Sequence, residues 1–245
     1  MDTLLNGALL EHIYGLIKLS EDVNFFVHQN HSAEPEPLPT IEPIIEPEAN
    51  PYGRLDFQYD RNNYLYCLRQ ESYPGVDVSA FQRDIDWQKV KDSGIRFAML
   101  RLGYRGYESG KLVEDEYIQQ NLKATKEVGM PIGAYFFSQA LNEEEVQEEI
   151  DFILDIIKDY EITMPVVFDW ENFMGFQYYE ISLKDLDHMY QVFEEEAEKM
   201  GYTPMLYGSK YYLENLWRKT DKRTIWLAHY TDWSSYEGKY KLWQI

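Results

Sequence analysis

The chain has 245 residues, 44% of them hydrophobic, a formal net charge of −20 and a single cysteine. That is enough apolar residue to close a sizeable core. The acidity excludes a protein that holds nucleic acid by its phosphates, Cys67 alone excludes a disulfide framework or a cysteine-rich zinc site, and no stretch reaches the roughly 18 apolar residues of a membrane span.

At the N-terminus, Leu4, Leu5, Ala8, Leu9, Ile13, Leu16 and Ile17 are spaced like one helical face. The polar side lacks the Lys and Arg of a membrane-surface helix, so the spacing predicts a short packing helix. No basic region and no small-residue cleavage site marks a signal peptide. Six of the ten prolines then fall at 35, 37, 39, 43, 47 and 51, within EPEPLPTIEPIIEPEANP. Glu alternating with Pro predicts an extended, self-repelling spacer. Residues 1–51 carry a net charge of −8 and residues 52–245 a net of −12. The tail holds Tyr14 alone of the 21 tyrosines and none of the six tryptophans. The division expected is therefore a tail and acidic linker over 1–51 and a folded domain over 52–245, its core starting near residue 73.

Beyond the spacer, Pro74, Pro131, Pro165 and Pro204 each precede a short apolar run: GVDVS, IGAYFFS, VVFDWE and MLYGS. A proline costs nothing at the start of a strand. Three further runs, IRFAMLRLGY, TIWLAHY and YKLWQI, make seven candidate strands. Nearly continuous hydrophobicity predicts strands buried on both faces. Polar segments with helical spacing lie between them. Asp86–Ser93 ends at Gly94, and Asp115–Val128 ends at Gly129. Asn142 with Glu145 starts a helix toward Tyr160, Ser182 with Asp185 starts one that ends at Gly201, and Tyr211–Lys219 is shorter. Alternating strands and helices predict a parallel α/β fold. Seven strands in one unit favour a barrel over a doubly wound sheet, and no glycine-rich dinucleotide fingerprint follows the first strand.

In such a barrel, chemistry sits at the C-terminal ends of strands. The first strand carries Asp77, and VVFDWE ends on Asp169 and Glu171. Residues i and i+2 face the same way, with Cα atoms roughly 6.5–7 Å apart, so both carboxylates point into one pocket and Trp170 away from it. Two partly buried acids do not both ionise easily, which leaves a protonated acid beside a carboxylate. That is equipment for protonating a glycosidic oxygen and stabilising a positive sugar ring. A lone D-x-E is common, and acids near strand ends more often cap or face solvent. Here the pair emerges directly from a core strand, and Asp77 lies on a second strand aimed at the same mouth. The rival chemistries have weaker support. His188 and His229 lack ligand spacing, no G-x-S-x-G elbow exists, and Cys67 reads as buried and inert.

The run YPGVDVSAFQRDIDWQKVKDSGIRFAMLRLGYRGYESGKLVEDEY, followed by GMPIGAYFFSQALNEEEVQEE, MPVVFDWE, GYTPMLYGS, IWLAHY and LWQI, resembles the family 25 glycoside hydrolases over about residues 73–245. These are lysozymes of the N-acetylmuramidase type. The resemblance implies an irregular, TIM-like β/α barrel that cleaves the β-1,4 bond between N-acetylmuramic acid and N-acetylglucosamine in peptidoglycan. It implies Glu171 as proton donor, Asp169 as the group that stabilises the transition state, and Asp77 as a lining aspartate. Arg101, Tyr135, Tyr207 and Trp226 fall where the family shapes its sugar subsites. It implies no cofactor or metal, peptidoglycan glycan strands as the partner, a monomer, and an extracellular or wall-associated place of action.

Members of the family continue past the W-Q strand to a last strand with a further aspartate. Here the sequence stops at Ile245, so the barrel is expected to lack that strand and the chain to be a truncated piece. The alternative function is then a wall-binding fragment without turnover. A carbohydrate esterase on the same groove would need metal ligands that the sequence does not offer.

Overall fold

A computed structural model describes residues 50–174, 178–218 and 220–245, all within the unit Glu46–Ile245. The expected N-terminal helix, and the spacer as far as residue 49, lie outside the described residues.

Each apolar run that follows a proline forms a strand. A two-stranded antiparallel hairpin, β1 (Phe57–Tyr59) and β2 (Leu65–Cys67), comes first and pairs Phe57 with Cys67. Seven parallel strands follow: β3 (Gly75–Val78), β4 (Phe97–Arg105), β6 (Ile132–Ser138), β7 (Val166–Trp170), β8 (Pro204–Ser209), β9 (Ile225–Ala228) and β10 (Leu242–Gln244). They neighbour one another in that order, with β3 and β10 as the edges. The short β5 (Leu112–Glu114) pairs antiparallel to β4. A Cβ on Gly103 would lie 2.3 Å from the Val113 carbonyl oxygen, so only glycine lets β5 pass this closely. The hairpin and β5 were not legible as strands, because three-residue segments carry too little periodicity.

The helices return the chain from the end of one strand to the start of the next: α1 (Trp87–Asp92), α2 (Ile118–Val128), α3 (Glu143–Ile157), α4 (Leu183–Lys199) and α5 (Lys210–Asn215). Their ends are set by the residues that the sequence marks. Asp86, Asn142 and Ser182 side chains accept from the backbone N–H groups of Lys89, Glu145 and Asp185. Ser182 and Asp185 complete a capping box. Gly129 closes α2 at φ 63°, a left-handed conformation that glycine takes at no cost.

The sheet is curled. Tyr135 of β6 and Trp226 of β9 lie three strands apart, yet their ring centroids are 5.7 Å apart. On a flat sheet that separation would be about 14 Å. The strand alternation therefore makes two cores. The outer core joins Ala98, Leu100, Phe136, Phe168 and Trp170 to the helices. The inner one holds Met99, Val167, Met205, Tyr207, Trp226 and Ala228. The parallel α/β architecture expected from the sequence is thus observed as an open, curled sheet. A cavity of about 780 Å³ lies along the gap between β3 and β10, with Phe57, Met99, Trp226 and Leu242 in its walls and Asp77 and Gln244 beside them.

Candidate active site

The site grows out of the inner face of the sheet. Strand register places Asp77 beside Met99, Arg101 beside Tyr135, and Tyr207 beside Trp226. All the residues singled out from the sequence belong to this inward set. Trp170 points the other way, 1% exposed, and its indole Nε1 donates to the Ala140 carbonyl at 2.9 Å. That contact anchors the end of β7 to the chain leading into α3. Asp169 and Glu171, on either side of Trp170, turn inward together.

Asp169 is 6% exposed, and its carboxyl neighbours that of Glu171 closely enough for each to affect the other's titration. Burial raises the Asp169 pKa well above the ordinary aspartate value, and the charge of Glu171 adds to it. Burial also raises Glu171, and its contact with Asp169 offsets part of that rise. Asp169, the deeper of the two, therefore holds its proton the more tightly. The pair titrates as a unit. Oδ1 of Asp169 is buried and has no hydrogen-bond partner among the described residues.

Arg101 supplies positive charge that lowers the pKa of Asp169. Its guanidinium is held rather than free. Nε and Nη2 donate to Asp115 Oδ2 at 2.8 and 2.7 Å. Asp115 also accepts from the backbone N–H groups of Ala80 and Tyr117, so one buried carboxylate ties together β4, the turn after β3 and the start of α2. Phe81, 82% exposed, lies over this guanidinium at 5.3 Å. Tyr207 and Trp226 are 8% and 5% exposed, with ring centroids 5.1 Å apart. They form the floor of the pocket more than its open wall. Burial, then the charges of Glu171 and Asp169, push the Tyr207 phenol far up, so it remains a proton donor.

Several functional side chains had no sequence signal strong enough to single them out. Gln244 of β10 donates from Nε2 to Asp77 Oδ2 at 3.1 Å. Asn172 donates to Gln139 Oε1 at 2.8 Å and to the Tyr179 hydroxyl, fixing the chain just past Glu171. Gln244 could have been found by alternation, since it follows Leu242 on the face that meets Trp226. Asp115 could not, because its partners come from three separate segments. His229 is half-buried, its Nδ1 3.2 Å from Ser234 Oγ. Cys67, expected to be buried, is only half-buried on β2, because the hairpin packs with one side open.

Two neighbouring carboxyls with raised pKa values, and a third acid on the β3 edge, are groups that can protonate an ether oxygen and stabilise a cation next to it, the chemistry of glycoside cleavage. Comparison with known proteins gives the same class. Residues 76–245 match glycosyl hydrolases family 25, and the chain belongs to that family. The Escherichia coli K12 protein YegX is 30% identical over 161 residues, which are 64% of this chain and 56% of YegX. The chain thus spans little more than half the length of that relative. Among solved structures, the modular autolysin LytC of Streptococcus pneumoniae superposes with a TM-score of 0.63 at 22% identity, over 77% of this chain and 45% of LytC. A family 25 glycosyl hydrolase from Bacillus anthracis superposes with a TM-score of 0.56 at 23% identity, over 71% of this chain and 78% of that one.

Proposed function

We propose that the protein is a muramidase that hydrolyses the β-1,4 bond between N-acetylmuramic acid and N-acetylglucosamine in peptidoglycan, outside the cell or at its wall. The observation that carries this reading is the pair of neighbouring carboxyls Asp169 and Glu171 at the C-terminal end of β7, both raised by burial, in a chain of family 25. The LytC structure contains a synthetic peptidoglycan ligand, which supports the same class of partner here.

In this reading Glu171 donates a proton to the leaving glycosidic oxygen. A bound glycan displaces water from Glu171 and raises its carboxyl further, so that it holds a proton to donate. Asp169 is left anionic beside the ring as positive charge develops there. Flanking carboxylates in two-acid glycosidases stand about 5–5.5 Å apart when retaining and about 6.5–9.5 Å apart when inverting. Asp169 and Glu171 leave the same strand end two residues apart and on one side, so Asp169 flanks Glu171 rather than facing it across the sugar. It is better suited to orient the substrate's own N-acetyl group or a water for attack. Asp77 stands on the same inner face, on β3, near enough for its charge to raise Asp169. Arg101, Tyr135, Tyr207 and Trp226 shape the subsite. The net charge of −12 over residues 52–245 gives no long-range attraction to an anionic wall, so sugar contacts supply the affinity.

The test is turbidity loss and release of reducing ends from purified peptidoglycan. Glu171→Gln is expected to lose roughly 10²–10⁴-fold in rate, the usual worth of a general acid. Cleavage by Glu171→Gln at the wild-type rate would remove Glu171 from the role of acid. Wild-type protein that sediments with peptidoglycan and releases no sugar ends would point instead to wall binding without turnover.

A further inference from the structure

Gln244 and Asp77 stand on opposite edges of the sheet, β10 and β3, and no main-chain ladder joins those edges among the described residues. Their side chains bridge the gap. Gln244 Nε2 donates to Asp77 Oδ2 at 3.1 Å, and Gln244 Oε1 accepts from the Tyr207 hydroxyl at 2.8 Å and the Tyr230 hydroxyl at 3.1 Å.

The arrangement has a direction. An amide has one donor end and one acceptor end. Two phenol donors occupy the acceptor end and turn the donor end toward Asp77. A flipped amide would set its carbonyl oxygen against a carboxylate oxygen and take away the oxygen that both phenols share as an acceptor. Tyr207 is buried and Tyr230 is exposed, so the contact runs from the pocket floor to its rim. The other ionisable groups near Asp77 are Arg101 of β4, Asp115 beside it, Tyr135 of β6, and Asp169 and Glu171 on and after β7 on the inner face, and Glu71, Tyr73, Arg96, Tyr240 and Lys241 around the cavity that Asp77 and Gln244 share. Among the described residues, the side-chain hydrogen bond to Asp77 comes from Gln244.

We propose that Gln244 is a positioning residue of the active site. It fixes the Asp77 carboxylate as an acceptor across the open edge, with Tyr207 and Tyr230 setting its orientation. The kinetic part rests on the muramidase reading; the contact itself does not.

The experiment uses Gln244→Met and Gln244→Glu in the full chain. Gln244→Met removes donor and acceptor and should lower kcat by about 10²-fold, the usual result of a misplaced active-site group, with KM nearly unchanged. Gln244→Glu keeps the shape. Its protonated form still donates to Asp77, whereas its ionised form sets like charges side by side. Its activity should therefore be retained on the acid side and lost as pH rises, which moves the basic limb of the pH–rate profile down by about one unit or more. Gln244→Met should show the wild-type profile shape at reduced height. Thermal unfolding gives a second readout that needs no turnover. The gap in unfolding temperature between Gln244→Glu and wild type should widen from acid to alkaline pH, and that of Gln244→Met should stay constant. Wild-type kcat in Gln244→Met, or a pH-independent gap in Gln244→Glu, would overturn the proposal. If wild-type protein releases no sugar ends, the muramidase reading fails, and the unfolding measurement alone decides the Gln244–Asp77 contact.

Discussion

Arg105 and Glu149 form a buried ion pair behind the site, and replacing Arg105 with Met tests how much it stabilises the fold. Arg105 ends β4, with a side chain 5% exposed; Glu149 on α3 is 3% exposed, and Nε lies 2.8 Å from Oε1. Arg105 also donates to the Gly110 and Glu145 carbonyls and to Glu148. Burial raises the Glu149 carboxyl to about 7 from 4.5, against the opposing pull of Ser138 and Arg105. A raised carboxyl gives stability that is fully present below about pH 4.5 and is lost as pH rises through about 7. At roughly 1.4 kcal/mol per pH unit, that window amounts to about 3 kcal/mol. Removing Arg105 removes the cation that limits the rise. Glu149 in the variant then stays protonated to higher pH, and the loss grows by roughly 1.4 kcal/mol per pH unit as pH rises past about 7, where the wild-type pair ionises. Near pH 5 Glu149 is protonated, and only the hydrogen bonds to the carbonyls are missing, about 1–3 kcal/mol. Urea unfolding at about pH 5 and about pH 8, with the two-state free energy extrapolated to water, measures both. Arg105→Met/Glu149→Met should recover most of the loss at the higher pH, because an apolar pair leaves no buried carboxyl behind. Equal losses at the two pH values, or no recovery in the double variant, would show that Glu149 is not charged in the fold. The pair bears on the site because Ser138 and Gln139 lie above it and Gln139 holds Asn172 beside Glu171.

Two further outcomes follow from the same structure. Asp169→Asn should abolish cleavage yet raise the unfolding temperature by roughly 3 °C or more at about pH 8, because a carboxyl raised by burial destabilises the fold once ionised; the gain should vanish near pH 4, and calorimetry across pH reads it. Ser182→Ala should cost about 1 kcal/mol by removing the cap of α4 while leaving kcat unchanged, a split that urea unfolding and reducing-end assays check together.

The sequence by itself determined the order of strands and helices, their caps and the inward turn of the paired acids. Those are local properties: hydrophobic period, a side chain three residues from the N–H it accepts, and the two-residue repeat that puts Trp170 on one side of β7 and Asp169 and Glu171 on the other. The motifs from GVDVS to LWQI then named the family. The curl of the sheet and the pairing of distant segments were decided by tertiary structure. The resemblance places Arg101 among the residues that shape the sugar subsites; the structure adds that Asp115 holds its guanidinium. It places Tyr207 and Trp226 there too; the structure adds that they pack against each other with little open surface. Which of Asp169 and Glu171 holds its proton more tightly depends on how far burial strips water from each carboxyl. Gln244 meets Asp77 only because 167 residues of chain bring the two sheet edges side by side. Spacing along the chain encodes which face a side chain takes; what it meets there is set by non-local closure, which no short window of sequence contains.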